Sequence, residues 1–436
     1  MLRDSMITLG LRIVIFVLTL GTNAIVARSL GPTEKGSYDL IILIITLSST
    51  MMICGFDVTN VYFGARDPQN LGVLLGNSLL AAFVFGVFAA GGLQLLTMVP
   101  GIKLYLQANA IEASTILHIG RFIPFMLGAI FLRELVRAKG NILGYNLIAV
   151  AQAASFLLAT IVLFVGNNFA IGNIIGVWTA SQILAFALSL VIVVSKLRYR
   201  IKVDLGYFRQ TIQYGIRIHV GNVAQFLNYR FDIFLVGYFL TPTHVAYYAL
   251  ATVLAEKLWE LPHAIRTILL HRISQSTDRR NAQKMTVQVT QITSAFIIIG
   301  CVGISIFAYP FFSLVFGNAY LPSVPSLIVL LPGIWLLGMS KLLVTYLTGT
   351  GSPSIGSYAA VISLVVTLVL DILLIPRMEI IGAALATSLS YFVSLIVIGK
   401  AFQAQTGYSL IRTVLPDFSS FVSLVKHRKL LETQHA

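Results

Sequence analysis

Charge is what this chain has least of. Only 11% of its 436 residues are Asp, Glu, Lys or Arg, against 57% hydrophobic residues. A soluble chain of this length could not cover its surface with so few polar groups, so a water-surrounded fold is excluded and lipid becomes the main solvent. Cysteine is nearly absent as well: Cys54 and Cys301 lie far apart inside apolar segments. That excludes a disulfide framework and a thiolate metal site, and leaves both as packing residues. There is no GxSxG, no GxxxxGKS/T and no HExxH, and the seven histidines show no metal-ligand spacing. A hydrolase elbow, an ATPase phosphate loop and a zinc-protease helix are therefore missing, and neither an enzyme, a metal nor a cofactor is expected. Energy for any transport must come from a gradient, the membrane potential or consumption of the product.

What the chain does have is apolar segments, at 6–27, 38–54, 72–97, 113–132, 145–165, 171–194, 210–236, 244–269, 287–309, 324–347, 355–375 and 380–399. Crossing about 30 Å of hydrocarbon takes about 20 residues of helix, and these twelve read as spans of an all-α integral membrane protein. The first is too long for a signal-peptide core and lacks a small-residue cleavage site, so it counts as a span. An even number puts both termini on one side. Of thirty Lys and Arg residues, nineteen then share that side, four lie opposite and seven fall within spans. This asymmetry places both termini in the cytoplasm. The formal charge of +14 is thus an orientation signal, densest in KLRYRIK (196–202) and HRISQSTDRRNAQK (271–284), and nucleic acid is not an expected partner.

The sequence also repeats itself. GLRI (10–13) recurs as GIRI (215–218), a shift that also lays Asn23 on Asn228, and SLGPTEKGSYDL (29–40) aligns with FLTPTHVAYYAL (239–250). These matches fall at equivalent places in two six-span halves. The expected organisation is an N-terminal lobe at 1–197, a cytoplasmic linker at 198–209, a C-terminal lobe at 210–402 and a basic tail at 403–436, able to lie on the inner membrane surface. Six spans per half give both halves the same orientation, a parallel duplication. Thr241 and Ala246 replace Gly31 and Gly36 in the second copy, so its outer loop is expected to turn differently.

Charged groups at the centre of a span cost about 2.5 to 3.5 kcal/mol on insertion scales and normally face a cavity or a partner. At helical spacing Thr8, Arg12, Thr19 and Asn23 form one polar stripe, and Arg217, Gln225, Asn228 and Asp232 form its counterpart in span seven. Span eight carries Thr252, Glu256, Glu260, His263 and Thr267, with Pro262 interrupting the ladder nearby. Two carboxylates one turn apart repel, which makes Glu256, Glu260 and Asp232 the candidates for ion coupling. Structural pairing, with Lys257 or with a base on a neighbouring helix, is the alternative. Arg230 points away from the stripe, toward an outer interface it could reach by snorkelling. Pro124 and Pro332 are expected to kink their spans, and Gly172 and Gly176 to form a close helix-packing face.

Three stretches carry a family likeness: ARSLGPTEKGSY (27–38), RELVRAKGNILGYN (133–146) and, above all, LNYRFDIFLVGYFLTPTHVAYYALATVLAEKLWELPHAIRTILLHRIS (227–274). They resemble the multidrug/oligosaccharidyl-lipid/polysaccharide (MOP) exporter superfamily, in the polysaccharide-transporter branch that includes Wzx-type O-antigen flippases. The resemblance implies two six-helix lobes around a central cavity, working by alternating access. It further implies translocation of a polyprenyl-pyrophosphate-linked oligosaccharide from the cytoplasmic to the outer leaflet of a bacterial cytoplasmic (inner) membrane. Glycan polymerase or glycosyltransferases would be its partners. Arg12, Asn23, Arg121, Arg217, Gln225, Asn228 and Arg230 would then line the substrate path, since guanidinium suits phosphate oxygens. Rival readings are a cation-coupled multidrug antiporter of the same superfamily, a membrane polysaccharide polymerase or ligase, and a scaffold for glycan assembly. Seven intramembrane bases against five acids disfavour the first. The short outer loops disfavour the second, and the intramembrane arginines the third.

Overall fold

The computed structural model describes residues 2–195, 200–275 and 278–417, the side chains of 2–7 and 9 excepted. Lys196, Arg198, Lys426, Arg428 and Lys429, with most of the basic tail, lie outside the described residues. The described residues contain helices and no strand. In chain order the helices are α1 (Leu2–Met51), α2 (Phe56–Arg66), α3 (Leu71–Met98), α4 (Pro100–Ala108), α5 (Ala113–Gly120), α6 (Ile123–Ala138), α7 (Ile142–Val165) and α8 (Ile171–Ser195). They continue as α9 (Leu205–Phe239), α10 (Pro242–Ala255), α11 (Glu260–Gln275), α12 (Arg279–Val315), α13 (Ser323–Gly349), α14 (Ser354–Thr406) and α15 (Leu410–Val414).

Seven of these helices are long and apolar enough to cross a membrane, and α5 with α6, bent by 41°, passes the same test as a pair. The twelve segments of the sequence are reached when two of the long helices are each counted as two spans and α9, and α10 with α11, which do not pass this test, are added. α14 breaks at Glu379 (φ 52°, ψ −137°). Beyond the break Gly382 lies against the carbonyl of Leu374, and Ser363 Oγ donates to the Ser390 carbonyl at 3.0 Å. Only an antiparallel pair brings residues that far apart in sequence together, so α14 is spans eleven and twelve. α1 breaks at Gly31 (φ 70°) just before Pro32. Its first arm runs alongside α7, with Thr8 at Asn146 and Gly21 at Leu157, and its second arm follows α5 and α6, with Ser37 at Asn109 and Ser49 at Met126. α9 is span seven, and α10 with α11 is span eight.

The break between α5 and α6 falls just before Pro124, where the missing N–H and the ring interrupt the ladder. Pro332 leaves α13 unbroken. Side chains of neighbouring helices there reach the backbone: Val329, Leu331 and Ile334 carbonyls accept from Ser388, Cys301 and Trp259. Gly172 and Gly176 correct an expectation: a Cβ on either would meet nothing within 4 Å. They do not seat a helix but line an open cavity of about 470 Å³ with His118 and Phe122.

The chain forms two compact units: Met1–Val223 with Thr241–Ala246 and Val315–Ala319, and Ala224–Leu240 with Tyr247–Leu314 and Tyr320–Ala436. In the first, Phe56 packs on Phe131 and Phe208 with ring centroids 5.1 and 5.4 Å away. The start of α9 is bound into that unit: Gly55 (φ 79°) and Gly215 meet backbone to backbone, and His219 Nε2 lies 3.1 Å from the Met51 carbonyl. The linker is tied down too, since Asn77 exchanges two 3.0 Å hydrogen bonds with the Asp204 backbone. In the second unit the core is built from Leu269, Ile273, Leu342, Leu343, Tyr346, Leu395 and Phe402.

Candidate functional site

The second unit buries a chain of polar groups where α9, α10 and both arms of α14 meet. Asn228, 1% exposed, donates from Nδ2 to Ser363 Oγ at 3.1 Å and accepts from Thr367 Oγ1 at 3.1 Å. One turn on, Asp232 is also 1% exposed. Its Oδ1 accepts the Ile233 N–H at 2.8 Å, and its Oδ2 accepts from Tyr248 OH at 2.6 Å and from Thr387 Oγ1 at 3.1 Å. Those donors stabilise a carboxylate in surroundings that otherwise disfavour charge. Beside it Asp371 is fully buried, and both its oxygens lack a hydrogen-bond partner among the described residues. The two carboxyl groups are close enough to interact electrostatically. A buried acid without donors, next to a second acid, is costly to keep charged.

Arg230 does not snorkel. Its guanidinium forms a two-pronged ion pair with Glu256, Nη1 to Oε1 at 2.6 Å and Nη2 to Oε2 at 2.8 Å, in largely shielded surroundings. The fixed fork of arginine matches the carboxylate, which is why this partner outcompetes the interface. Of the pairings open to Glu256, a base on a neighbouring helix is the one formed. Span eight is broken between α10 and α11 by a 3₁₀ turn at Glu256–Trp259. Pro262 explains it: the residue lacks the N–H that would bond to Leu258 and its ring crowds that carbonyl. A 3₁₀ turn advances about 120° per residue instead of 100°. The regular spacing that would put Glu256 and Glu260 on one face is interrupted there.

In the first unit the stripe of span one is partly self-satisfied. Thr19 Oγ1 and Asn23 Nδ2 bond to the carbonyls of Ile15 and Thr19 at 2.7 and 3.0 Å, and Thr8 accepts from Asn146 at 3.2 Å. Arg12 and Arg217 are exposed, and Arg217 lies in the part of α9 that belongs to this unit. Arg121 is exposed at the α5–α6 bend. Gln225 Nε2 is buried without a hydrogen-bond partner among the described residues. The structure thus brings Arg230 to Glu256, but it joins neither of them to Asn228 or Asp232 by a hydrogen bond.

Two of the marked stretches have structural work to do. In 133–146, Glu134 pairs with Arg137 at 3.3 Å, while Arg133 and Arg137 lie over the Tyr145 ring at 5.1 and 5.9 Å. In 27–38, Gly36 lies against the backbone of Pro242, where a side chain could not fit. Thr241, unlike Gly31, does not take a positive φ, so the second outer loop does turn differently. Outside the spans, burial raises the carboxyl of Asp57 on α2 above its ordinary range, opposed mainly by hydrogen bonding to the Val58 backbone.

The profile of the family described as "Polysaccharide biosynthesis protein" matches residues 25–325. The chain belongs to this family. Among curated relatives, it is 24% identical over 288 residues to the "Probable low-salt glycan biosynthesis flippase Agl15" of Haloferax volcanii. That match covers 64% of this chain and spans 60% of the relative's length. The fold of this family member is that of the MOP superfamily. An inward-facing MATE multidrug resistance transporter superposes with a TM-score of 0.75 at 13% identity, covering 89% of this chain and 94% of the other. The lipid II flippase MurJ, in its inward closed conformation, gives 0.74 at 16% identity, covering 94% of this chain and 89% of the other. Both solved structures are named as transporters or flippases, and at these identities the likeness shows a shared fold.

Sequence reasoning marked Asp232 and Glu256 but gave no role to Asp371, Tyr248 or Thr387. The signal for Asp371 was present, an acid amid VVTLVLDILLIP (365–376). Its neighbour Asp232 lies 139 positions away, and only the fold could pair them.

Proposed function

We propose that the protein translocates a polyprenyl-diphosphate-linked oligosaccharide from the cytoplasmic to the outer leaflet by alternating access. It serves surface polysaccharide synthesis in a bacterial cytoplasmic membrane, with both termini inside. The observation that carries this reading is the likeness to a glycan biosynthesis flippase within a polysaccharide biosynthesis family. The preponderance of bases over acids within the spans supports it, because the carrier's diphosphate is the substrate's fixed charge. Arg12 and Arg217, at equivalent places in the repeat, hold that diphosphate, with Arg121 and Asn23 of the same unit along the path. Asp232 and Asp371 take up the coupling cation, and Glu256 and Glu260 are the remaining acids of that set.

The test is reconstitution in vesicles with a fluorescent lipid-linked oligosaccharide and a leaflet-specific quencher. Wild type is expected to equilibrate the lipid between leaflets. Arg12→Ala and Arg217→Ala should abolish this, and the lysine variants should retain part of it. Normal flipping by both alanine variants would remove these two residues from the diphosphate site. Absence of flipping by wild type would overturn the function itself.

A further inference from the structure

Lys341 stands in the middle of α13, 7% exposed. Its ammonium lies 3.5 Å above the centre of the Trp259 ring and 5.2 Å from that of Tyr229, and Nζ is 3.4 Å from His263 Nε2. Among the described residues no carboxylate comes within ion-pair distance. Glu256 is committed to Arg230, and Glu256 and Glu260 act on Lys341 only from farther off, opposed by the like charge of Arg266.

The groups that touch the Lys341 side chain are two aromatic rings and an imidazole, none of them negatively charged. Trp259 is locked by its Nε1–H bond to the Ile334 carbonyl at 2.9 Å, and its ring packs on Tyr229 and Tyr391 with centroids 5.1 and 5.9 Å away. Ring faces attract a cation but carry no net charge. An imidazole nitrogen that accepts one of the three N–H groups brings no negative charge to it. Taking an ammonium out of water is costly unless an opposite charge meets it. A rigid aromatic wall, one remaining direction of donation and no resident counter-ion make a half-built anion site.

We propose that Lys341, with His263 beside it, is an oxyanion-binding subsite of the second unit, taking a phosphate or carboxylate group of the transported molecule. The flippase reading supplies two sources of that group: the carrier's diphosphate and an acidic sugar. The aromatic wall fixes the ammonium in place, so its remaining donors are oriented before the anion arrives. His263 contributes a second donor once it holds a proton on the side facing the anion.

The experiment titrates the purified protein, in metal-free buffer, with inorganic pyrophosphate and separately with glucuronate. Trp259, directly under the ammonium, is the fluorescent reporter, and Trp259→Phe identifies its share of the signal. Lys341→Met keeps length and apolar packing without the charge, and Lys341→Arg restores charge. Wild type is expected to bind one of the probes, Met at 341 to weaken that binding at least 10-fold, and Arg to recover most of it. Whichever probe binds identifies the source. Equal affinity of wild type and Lys341→Met, at unchanged melting temperature, would overturn the subsite, as would failure of wild type to bind either probe. Flipping measured on the same preparations separates the two ideas. Transport by wild type and Lys341→Met alike, with no Lys341-dependent binding, leaves the function and removes the subsite. Lys341-dependent binding without transport by wild type does the reverse.

Discussion

Thr33 and Thr243 touch, hydroxyl to hydroxyl, at 2.8 Å, and they stand 210 positions apart. That separation is the offset by which the outer loop of the first half aligns with that of the second. Equivalent residues of a duplicated sequence therefore meet each other, and Gly36 against Pro242 reinforces the meeting.

In the proposed transport cycle these two loops part. With Cys54 and Cys301 replaced by serine, Thr33→Cys/Thr243→Cys is expected to form a reducible cross-link that stops flipping, and reductant should restore it. Full transport by a verified cross-linked sample would contradict separation of the loops.

The Arg230–Glu256 pair is largely shielded, so removing one partner strands the other's charge. Arg230→Ala or Glu256→Ala should destabilise the protein by about 3–5 kcal/mol, and Arg230→Met/Glu256→Met should recover most of that loss. Thermal unfolding of the three variants decides it. Additive losses in the double variant would mean that the two groups do not depend on each other.

Among the described residues Asp371 has no donor for either oxygen. Asp371→Leu should leave the melting temperature unchanged or raise it, since burial of a partnerless acid is costly. Gradient-driven accumulation of substrate should fall at least 10-fold while substrate binding persists. Asp232→Asn, which disturbs three accepted hydrogen bonds, should lower both stability and coupling. Normal coupled transport by Asp371→Leu would return this acid to a structural role.

Two sets of glycines should respond oppositely. Gly36→Ala drives a Cβ into the Pro242 backbone and should cost about 1–3 kcal/mol. Gly172→Ala and Gly176→Ala point into open space and should change stability by less than about 0.5 kcal/mol. Marked destabilisation by the latter two would mean that another helix covers them in the membrane.

The sequence by itself determined the solvent, the number of spans and the repeat, because each is a local property: apolar length, charge position and self-similarity survive without knowledge of contacts. It also determined which residues are expensive to bury, so Asp232, Glu256 and Arg230 were visible as candidates. What those residues do with their charge was decided by tertiary structure. The regular helical spacing of span eight is interrupted between Glu256 and Glu260, where Pro262 tightens the turn. The direction assigned to Arg230 failed because a carboxylate on another helix binds guanidinium better than an interface does. Asp371 and Lys341 gained meaning only from neighbours more than 70 positions away, Asp232 and His263. A carboxyl or an ammonium within a span costs the same wherever it lies in the sequence, and only the folded chain determines which partner, if any, offsets that cost.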